Sequence, residues 1–594
     1  MLPILFSNGI LNDKISVFFA LLIISVFIPI LIYSMGYIKE YKNKYSRIYN
    51  IFLILVFTLS MIAVVVSKDS ITFIVFWEIM SASSFFLVVY EHKKEDNIKS
   101  GVIYFIMTHI SGFFLMIMFA FLYKYTGSIN FEDFQRLSYS LTITQKNIIF
   151  ILALLGFGAK AGFIPLHAWL PKAHPSAPSN ASALMSGVML KVSIYGFIRV
   201  SFYFVKDIPI YLSLIVVVLG ALTSIFSILN ALVQKDIKKL LAYSSAENIG
   251  IILSTLGLSL VFINFDLKNL GFIALTAALF HILNHAIFKS LLFASAGSVL
   301  YATETKNMNE LGGLYKKMKF ATICAFIGTA SISAIAPLNG FASELLIFKS
   351  FIVGTVAVKD TWTAVILMMS MVIIALTSGA ALYASVKSFG ITYLGQARSE
   401  KAVSTHKIPH SMNIGLGFLA LMCILLGVFS PFAIKLISNV SASTLNMELN
   451  VIQINSNYEI TIVATIILAI VMILVVISKA LDARNKTSVK ETWGCGFNNM
   501  KPYMQYSGNG LSQPSTRIFG NLVGYSKKTK KGILISLKDT VFDKLERYIY
   551  DPIVNFINYI SSNIVKIHTG RIQVYTLYIF ISLLITVIVV YKFI

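Results

Sequence analysis

The chain has 594 residues, of which 57% are apolar and only 13% charged, and its formal net charge is +23. A water-soluble core cannot absorb that much apolar surface, and runs of about 18 or more apolar residues recur along the whole chain, so the composition excludes a soluble enzyme and predicts a polytopic helical membrane protein. The positive balance fits loops that face anionic lipid or partner subunits, and nucleic acid is not an expected partner. Cys324, Cys423 and Cys495 are scattered without paired spacing, so no metal or disulfide framework is expected.

In chain order, the apolar runs predict an all-α protein of about fourteen transmembrane helices: 15–38, 48–67, 70–90, 99–123, 148–171, 177–204, 208–233, 239–260, 270–300, 320–350, 362–394, 412–438, 459–481 and 572–594. The first run lacks the basic start and small-residue cleavage site of a secretory signal, so it reads as a retained span. Assigning the loops alternately to two sides gathers Lys39, Lys42, Lys44, Arg47, Lys93, Lys94, Lys235, Lys306, Lys316, Lys317, Arg398 and Lys401 on one side. The other side holds a sparse set, such as Lys14, Lys68, Arg136, Lys206 and Lys359. The richer side is expected to be cytoplasmic, which leaves both termini outside and the basic stretch 482–571 inside.

Two spans carry interruptions. FGAKAGFIPLHAWLPK contains Gly158, Gly162 and Pro165, and SISAIAPLNGFASELL contains Pro337. Both run from small residues through Pro-Leu to an aromatic, with a charge nearby. They lie in the fifth and tenth spans, an odd offset, so the two units are expected to be inverted repeats, each with a broken helix. That arrangement marks the ion path of many transporters. A membrane helix tolerates such breaks where the freed backbone groups face protein or a wet cavity.

Several charges fall where lipid would penalise them. Glu78 has no charged neighbour between Asp69 and Glu91. It either stays protonated or pairs with a cation, and a purely structural ion pair is the alternative to a functional one. Lys160 and Lys191 are its candidate partners. A buried lysine beside a movable carboxylate can switch its charge, as a proton relay requires, whereas snorkelling to the interface is the alternative for each. His281, His285 and Lys289 are spaced by four and share one helix face with Asn284 nearby. No HExxH glutamate accompanies the histidines, so a polar proton-passing stripe is preferred to zinc, and histidines bonded across helices remain the structural reading. Glu344 follows the second break as a terminal carboxylate candidate. Lys238 could serve the path or anchor a helix at the interface, and His167 and His174 flank the first break.

The stretch from Gly156 to Arg199, with DIKKLLAYSSAENIG, FHILNHAIFKSLLFASAGSV and PLNGFASELLIF, resembles the antiporter-like proton-channel subunits of respiratory complex I, Mrp-type antiporters and membrane-bound hydrogenases. The resemblance covers about residues 15–440. ETWGCGFNNMKPYMQYSGNGLSQP and the late span after GRIQVYTLYIF are similar to the hydrogenase-4 component B and formate hydrogenlyase membrane subunit group. Through it, Glu78 matches the family's early-helix glutamate and Lys160 the lysine of the first broken helix. Lys191 matches a lysine found in some branches, Lys238, His281, His285 and Lys289 a linking axis, and Glu344 the terminal residue. The chain is expected to begin at the family's third helix.

The resemblance implies membrane helices over 1–98, a proton-conducting core over 99–394, additional helices over 395–481, a basic interfacial or cytoplasmic segment over 482–571, and a final helix over 572–594. It implies a proton-carrying subunit of a redox-driven complex in a prokaryotic inner membrane, with no cofactor, metal or redox site of its own. The expected partners are other membrane-arm subunits, a peripheral hydrogenase or quinone-reductase module, and lipid. The runner-up is an Mrp-type Na+/H+ antiporter subunit, and the nitrogen-rich stripe favours protons over Na+. The stretch SLKDTVFDKLERYIYDPIVNFINYISSNIVKI is expected to be an amphipathic helix along the inner interface.

Overall fold

The computed structural model describes residues 13–138, 140–448, 458–484, 493, 495–497, 501–530, 536–541, 544, 546–565 and 572–593. They belong to two compact units, Met1–Val523 and Gly524–Ile594. In the first, α1 (Lys14–Tyr37), α2 (Arg47–Val66), α3 (Ser70–Val88), α4 (Glu95–Thr126) and α5 (Ile143–Ala161) follow in order. A short α6 (Leu170–Ser176) leads into α7 (Ser179–Phe204), α8 (Ile210–Leu232), α9 (Ile237–Asn264) and α10 (Lys268–Thr303). Next come α11 (Lys319–Ile332), α12 (Asn339–Ala357), α13 (Thr361–Tyr393), α14 (His410–Val428), α15 (Ser430–Leu445), α16 (Tyr458–Arg484) and α17 (Gly508–Phe519). Twelve of the described helices are long and apolar enough to cross a membrane. The run expected at 412–438 divides into α14 and α15, because Pro431 cannot continue a helix and instead opens the next one.

Polar caps set where the apolar runs start. Asp69 accepts from the Thr72 amide (2.7 Å), Asp236 from the amides of Lys238 and Lys239 (2.8 and 3.1 Å), and Asp360 from that of Thr363 (2.8 Å). Thr142 and Gln145 form a reciprocal capping box at the start of α5. Each cap satisfies amides that no preceding turn can reach.

Loops expected on the same side do meet. Lys235 and Asp236 pair with 306–308 through backbone hydrogen bonds, Gly313 donates to the Leu394 carbonyl, and Ser399 to that of Glu310. At the opposite helix ends, Ser70 donates to Ile129 and Phe131 to Lys68, and Tyr203 reaches Thr444. The alternation inferred from charge is therefore built into the packing of the chain.

The bundle surrounds α7, α9 and α10, whose apolar lengths are buried almost all round, whereas α13 leaves much of its length exposed. Helices α8 and α9 approach so closely that a Cβ on Gly220 would meet the backbone of Ser254, and one on Gly250 the backbone of Ser224. Small residues of this kind let membrane helices gain dispersion contact and exclude lipid.

Residues 501–523 sit on the loop face of the same unit. Buried Lys387 donates from Nζ to the carbonyls of Leu232 (2.6 Å) and Gln234 (2.7 Å) and to Ser512 Oγ of α17 (2.6 Å). Tyr383 donates to the Leu511 carbonyl, Arg398 to that of Tyr506 (2.8 Å), and the Gln505 amide pairs with the Gln396 backbone. Replacing Lys387 with Met leaves these acceptors unmet and loosens α17, so trypsin is expected to cut at Arg517 several-fold faster in the detergent-purified chain, as read by peptide mapping.

In the second unit, β1 (Tyr525–Lys530) and β2 (Ser536–Val541) form an antiparallel hairpin in the register Tyr525↔Val541 to Lys530↔Ser536. It is followed by α18 (Asp551–Val565), entered through a widened turn at Glu546–Tyr550, and by α19 (Ile572–Phe593). The helix expected from Ser536 onward is corrected here: its first six residues form a strand. The β-branched Thr540 and Val541 favour an extended backbone that pairs with the preceding strand.

Candidate functional site

Both predicted breaks are present, and they share one cap. At the end of α5, Gly162 takes a left-handed conformation (φ 76°) and the Phe163 amide returns to the Gly158 carbonyl. After α11, Ala334 is left-handed (φ 50°) and the Ile335 amide returns to the Ala330 carbonyl. In each case the left-handed residue lies three positions before the proline, Pro165 or Pro337. This is a Schellman-type ending, used twice. Gly158 is not itself at the break, because it lies inside α5; a side chain there would strike the folded-back ring of Phe163, so its role is to let the turn close.

The freed backbone groups have partners within the protein. Trp169 Nε1 donates to the Ala159 carbonyl (2.8 Å), and the Ile164 amide donates to Thr223 Oγ1 of α8 (3.2 Å). At the second break, Asn284 of α10 donates to the Asn339 carbonyl (2.9 Å), and the Asn339 amide returns to Asn284 Oδ1 (3.3 Å). Trp169→Phe removes the donor to a buried carbonyl and is expected to cost about 1–3 kcal/mol, seen as a lower unfolding temperature in detergent.

Lys160 lies in the last turn of α5, fully buried. Its Nζ donates to Ser81 Oγ of α3 (2.8 Å) and to the Tyr104 hydroxyl of α4 (3.2 Å), whose ring lies beneath the ammonium. Glu78 stands one turn before Ser81 but faces elsewhere. Its carboxylate lies 3.6 Å from His109 Nε2 and keeps about a third of its side chain exposed. The expected direct contact of Glu78 with Lys160 or Lys191 is therefore corrected. His109 takes that place, because its Nδ1 is tied to the Phe105 carbonyl (2.9 Å) and its other nitrogen is turned to Glu78. Lys160 still acts on Glu78 through space.

Lys191 follows a widened, π-type turn at Met185–Met189, and its Nζ satisfies the Ser186 carbonyl (2.6 Å). Such turns free carbonyls inside a helix and recur at functional sites. Ser186 Oγ meets Ser245 Oγ of α9 (2.7 Å), and the adjacent Ser244 Oγ accepts from Lys289 Nζ of α10 (2.5 Å). Lys289 thus binds α9 directly, and Lys191 is linked to the neighbouring serine of α9 through Ser186. Lys238, in the first turn of α9, donates to the Ala177 carbonyl between α6 and α7.

Beyond Lys289, His281 Nδ1 meets Ser343 Oγ (3.0 Å) and its Nε2 meets Asn248 Oδ1 (3.2 Å). His281 and His285 stack, with centroids 6.3 Å apart. His285 and His174 are buried without a hydrogen-bond partner among the described residues. Glu344, adjacent to Ser343 on α12, accepts from Ser378 Oγ (2.8 Å).

The structure thus brings Lys191, Lys289, His281 and the Ser343–Glu344 turn into one buried region, with Lys160 and Glu78 at its α3–α5 end and Lys238 near the loops. Ser81, Tyr104, His109, Ser244 and Asn248 were not foreseen, and neither was Glu247. The signal for Glu247 was present: it is the only charged residue between Lys239 and Asp266.

Outside the spans, Glu91 is half-buried, which pushes its carboxyl up. The Lys94 ammonium and the Tyr41 hydroxyl (2.8 Å) outweigh that and hold it below the usual carboxylate range.

Residues 67–377 match the family described as NADH:quinone oxidoreductase/Mrp antiporter, TM. Hydrogenase-4 component B of Escherichia coli K12 is 32% identical over 97% of this chain and 88% of that protein. Formate hydrogenlyase subunit 3 of the same organism is 30% identical over 78% of this chain and 74% of its own length. A chain of the membrane-bound sulfane sulfur reductase, an archaeal respiratory membrane complex, has the same fold, with a TM-score of 0.76 at 23% identity over 97% of this chain and 88% of that chain. With two interrupted helices and buried bases between them, this multi-pass membrane protein belongs to the NADH:quinone oxidoreductase/Mrp antiporter transmembrane family.

Proposed function

We propose that the chain is the proton-translocating membrane subunit of a redox-driven, complex I-like oxidoreductase of the energy-converting hydrogenase kind. The observation that carries this reading is the convergence of Lys160, Lys191, Lys289, His281 and Glu344 in a region walled off from lipid and bounded by two braced helix breaks. Buried bases without direct counter-ions do little for stability, but they suit a path on which protons are held and passed.

Protons enter from the cytoplasmic side and rest on Lys160. They pass Lys191, Lys238, Lys289, His285 and His281, and leave near Glu344. Movement of Glu78 relative to Lys160, now through its His109 pairing, changes the lysine's hold on its proton. The core 99–394 conducts, the segments 1–98 and 395–481 frame it, and 482–571 faces a cytoplasmic partner. Both chain termini lie outside an inner membrane. Similarity to hydrogenase-4 component B across nearly the whole chain, tail included, supports a hydrogenase-type setting over an antiporter. Electron transfer then belongs to partner subunits.

Purification of the native complex through a tag on this chain tests the reading. Hydrogenase- or quinone-reductase-type subunits are expected to accompany it. Recovery of Mrp-type subunits alone, with Na+-dependent collapse of an imposed pH gradient in proteoliposomes, would replace it with the antiporter.

A further inference from the structure

We propose that Glu247 is a second switching carboxyl, the proton acceptor of Lys289. The inference rests on the proton-translocating reading above.

Glu247 is buried, with 1% exposure, in the middle of α9, where no surface or lipid headgroup is in reach. Its carboxylate accepts from the Asn248 amide (2.6 Å), and the charges that act on it are Lys289 and Glu344. The Lys289 ammonium is pinned by Ser244 Oγ (2.5 Å) and the Leu241 carbonyl (3.2 Å), one turn before Glu247 on the same helix. Ser244 lies three residues before Glu247, so it holds the ammonium within about a turn of the carboxyl, without a direct ion pair between them in the structure.

A serine that holds a buried lysine, with a carboxylate three residues away, also occurs in the first repeat. Lys160 is pinned by Ser81 Oγ, and Ser81 lies three residues after Glu78 on α3. In α9 the serine lies three residues before the glutamate. Helices α3 and α9 are the third and eighth spans, five apart, the same offset that relates the two breaks. An inverted repeat keeps the residue order along the chain, so the two serine–glutamate pairs are alike in spacing and not equivalent positions.

The step balances as one proton. Lys289 as ammonium gives a proton to ionised Glu247, leaving neutral amine and neutral carboxylic acid, so two opposite buried charges become two neutral groups without importing charge. Asn248 fixes the direction of onward transfer. Its amide nitrogen holds the carboxylate while its oxygen meets His281 Nε2 (3.2 Å), and His281 Nδ1 meets Ser343, next to Glu344. An ionised Glu247 keeps the amide in this orientation. A protonated one leaves the Asn248 nitrogen with the Ser244 carbonyl (3.0 Å) as its remaining acceptor, and the exit side gains access to the proton.

The test uses the native complex in proteoliposomes, driven by its own electron donor, with protons translocated per electron as readout. Glu247→Gln is expected to lower that ratio at least fivefold with electron transfer retained, and Glu247→Asp, which keeps a carboxyl, to restore pumping. Wild-type pumping in Glu247→Gln overturns the proposal, provided Lys160→Met in parallel is inactive. If Lys160→Met also pumps normally, the underlying reading fails instead. If Glu247→Gln does not assemble, Asn248→Leu decides, since it spares the carboxyl but removes the amide's contacts to Glu247, His281 and Ser244: a fivefold fall supports the switch, and unchanged pumping overturns it.

Discussion

Lys160→Met abolishes proton translocation by the assembled complex, reducing protons per electron by at least an order of magnitude. Methionine fills much the same volume with a flexible apolar chain, so packing beside Tyr104 and Ser81 is kept while the titratable group is lost. The substitution removes a fully buried charge whose direct hydrogen-bond partners among the described residues are two hydroxyls, and those hydroxyls can re-pair, Tyr104 already meeting Ser84 at 2.6 Å. Folding is therefore expected to survive. The measurement is quenching of a pH-sensitive dye in proteoliposomes beside electron transfer in the same sample. An unchanged ratio would sink the role assigned to this lysine and with it the first half of the path. Lys160→Arg is expected to fail as well, because a guanidinium does not give up its proton in this range.

Gly250→Leu prevents accumulation of the folded chain in the membrane. A Cβ at Gly250 would stand 2.5 Å from the Ser224 amide nitrogen and 2.6 Å from the Gly220 carbonyl oxygen, both backbone atoms of α8 that cannot swing aside. Overpacking a core costs about 1–3 kcal/mol when side chains can yield. Here whole helices must separate, and the cost exceeds that range. Displacing α9 also displaces Lys238, Ser244, Ser245 and Asn248 together, so a small amount of surviving protein is expected to pump poorly. Membrane abundance by immunoblot and unfolding temperature in detergent check this, with Gly250→Ala intermediate. Normal abundance of the leucine variant would show that the α8–α9 approach is less rigid than its backbone contacts imply.

The sequence revealed those features whose cost is written in the residue type. A lysine within an apolar run is conspicuous because lipid penalises it, and Lys160, Lys191 and Lys289 were found that way. Pro165 and Pro337 announced both breaks because proline removes a donor that a helix needs. What depends on how helices rotate against one another was hidden. The pairing of Glu78 with His109 needed the relative turn of α3 and α4. Ser81, Tyr104 and Ser244 are hydroxyl residues of a kind common in membrane helices, and only their position against an ammonium distinguishes them. Glu247 was visible as an isolated charge but sat inside a familiar motif, AYSSAENIG, that drew attention to the pattern rather than to the carboxylate. In the tail, the helical spacing after Ser536 misled because six residues are too few to separate a strand from the start of a helix.

The interrupted helices have a consequence for motion. Trp169, Thr223, Asn284 and Asn339 tie the loose backbone ends to neighbouring helices, so each discontinuity is a braced elbow rather than a hinge. An elbow fixed in this way cannot swing wide to let ions through. The moving parts must then be small: side-chain rotations about a lysine, a histidine or an amide, which are faster than collective rearrangement of whole helices. A channel of this design keeps its walls still and changes only which atoms hold the proton.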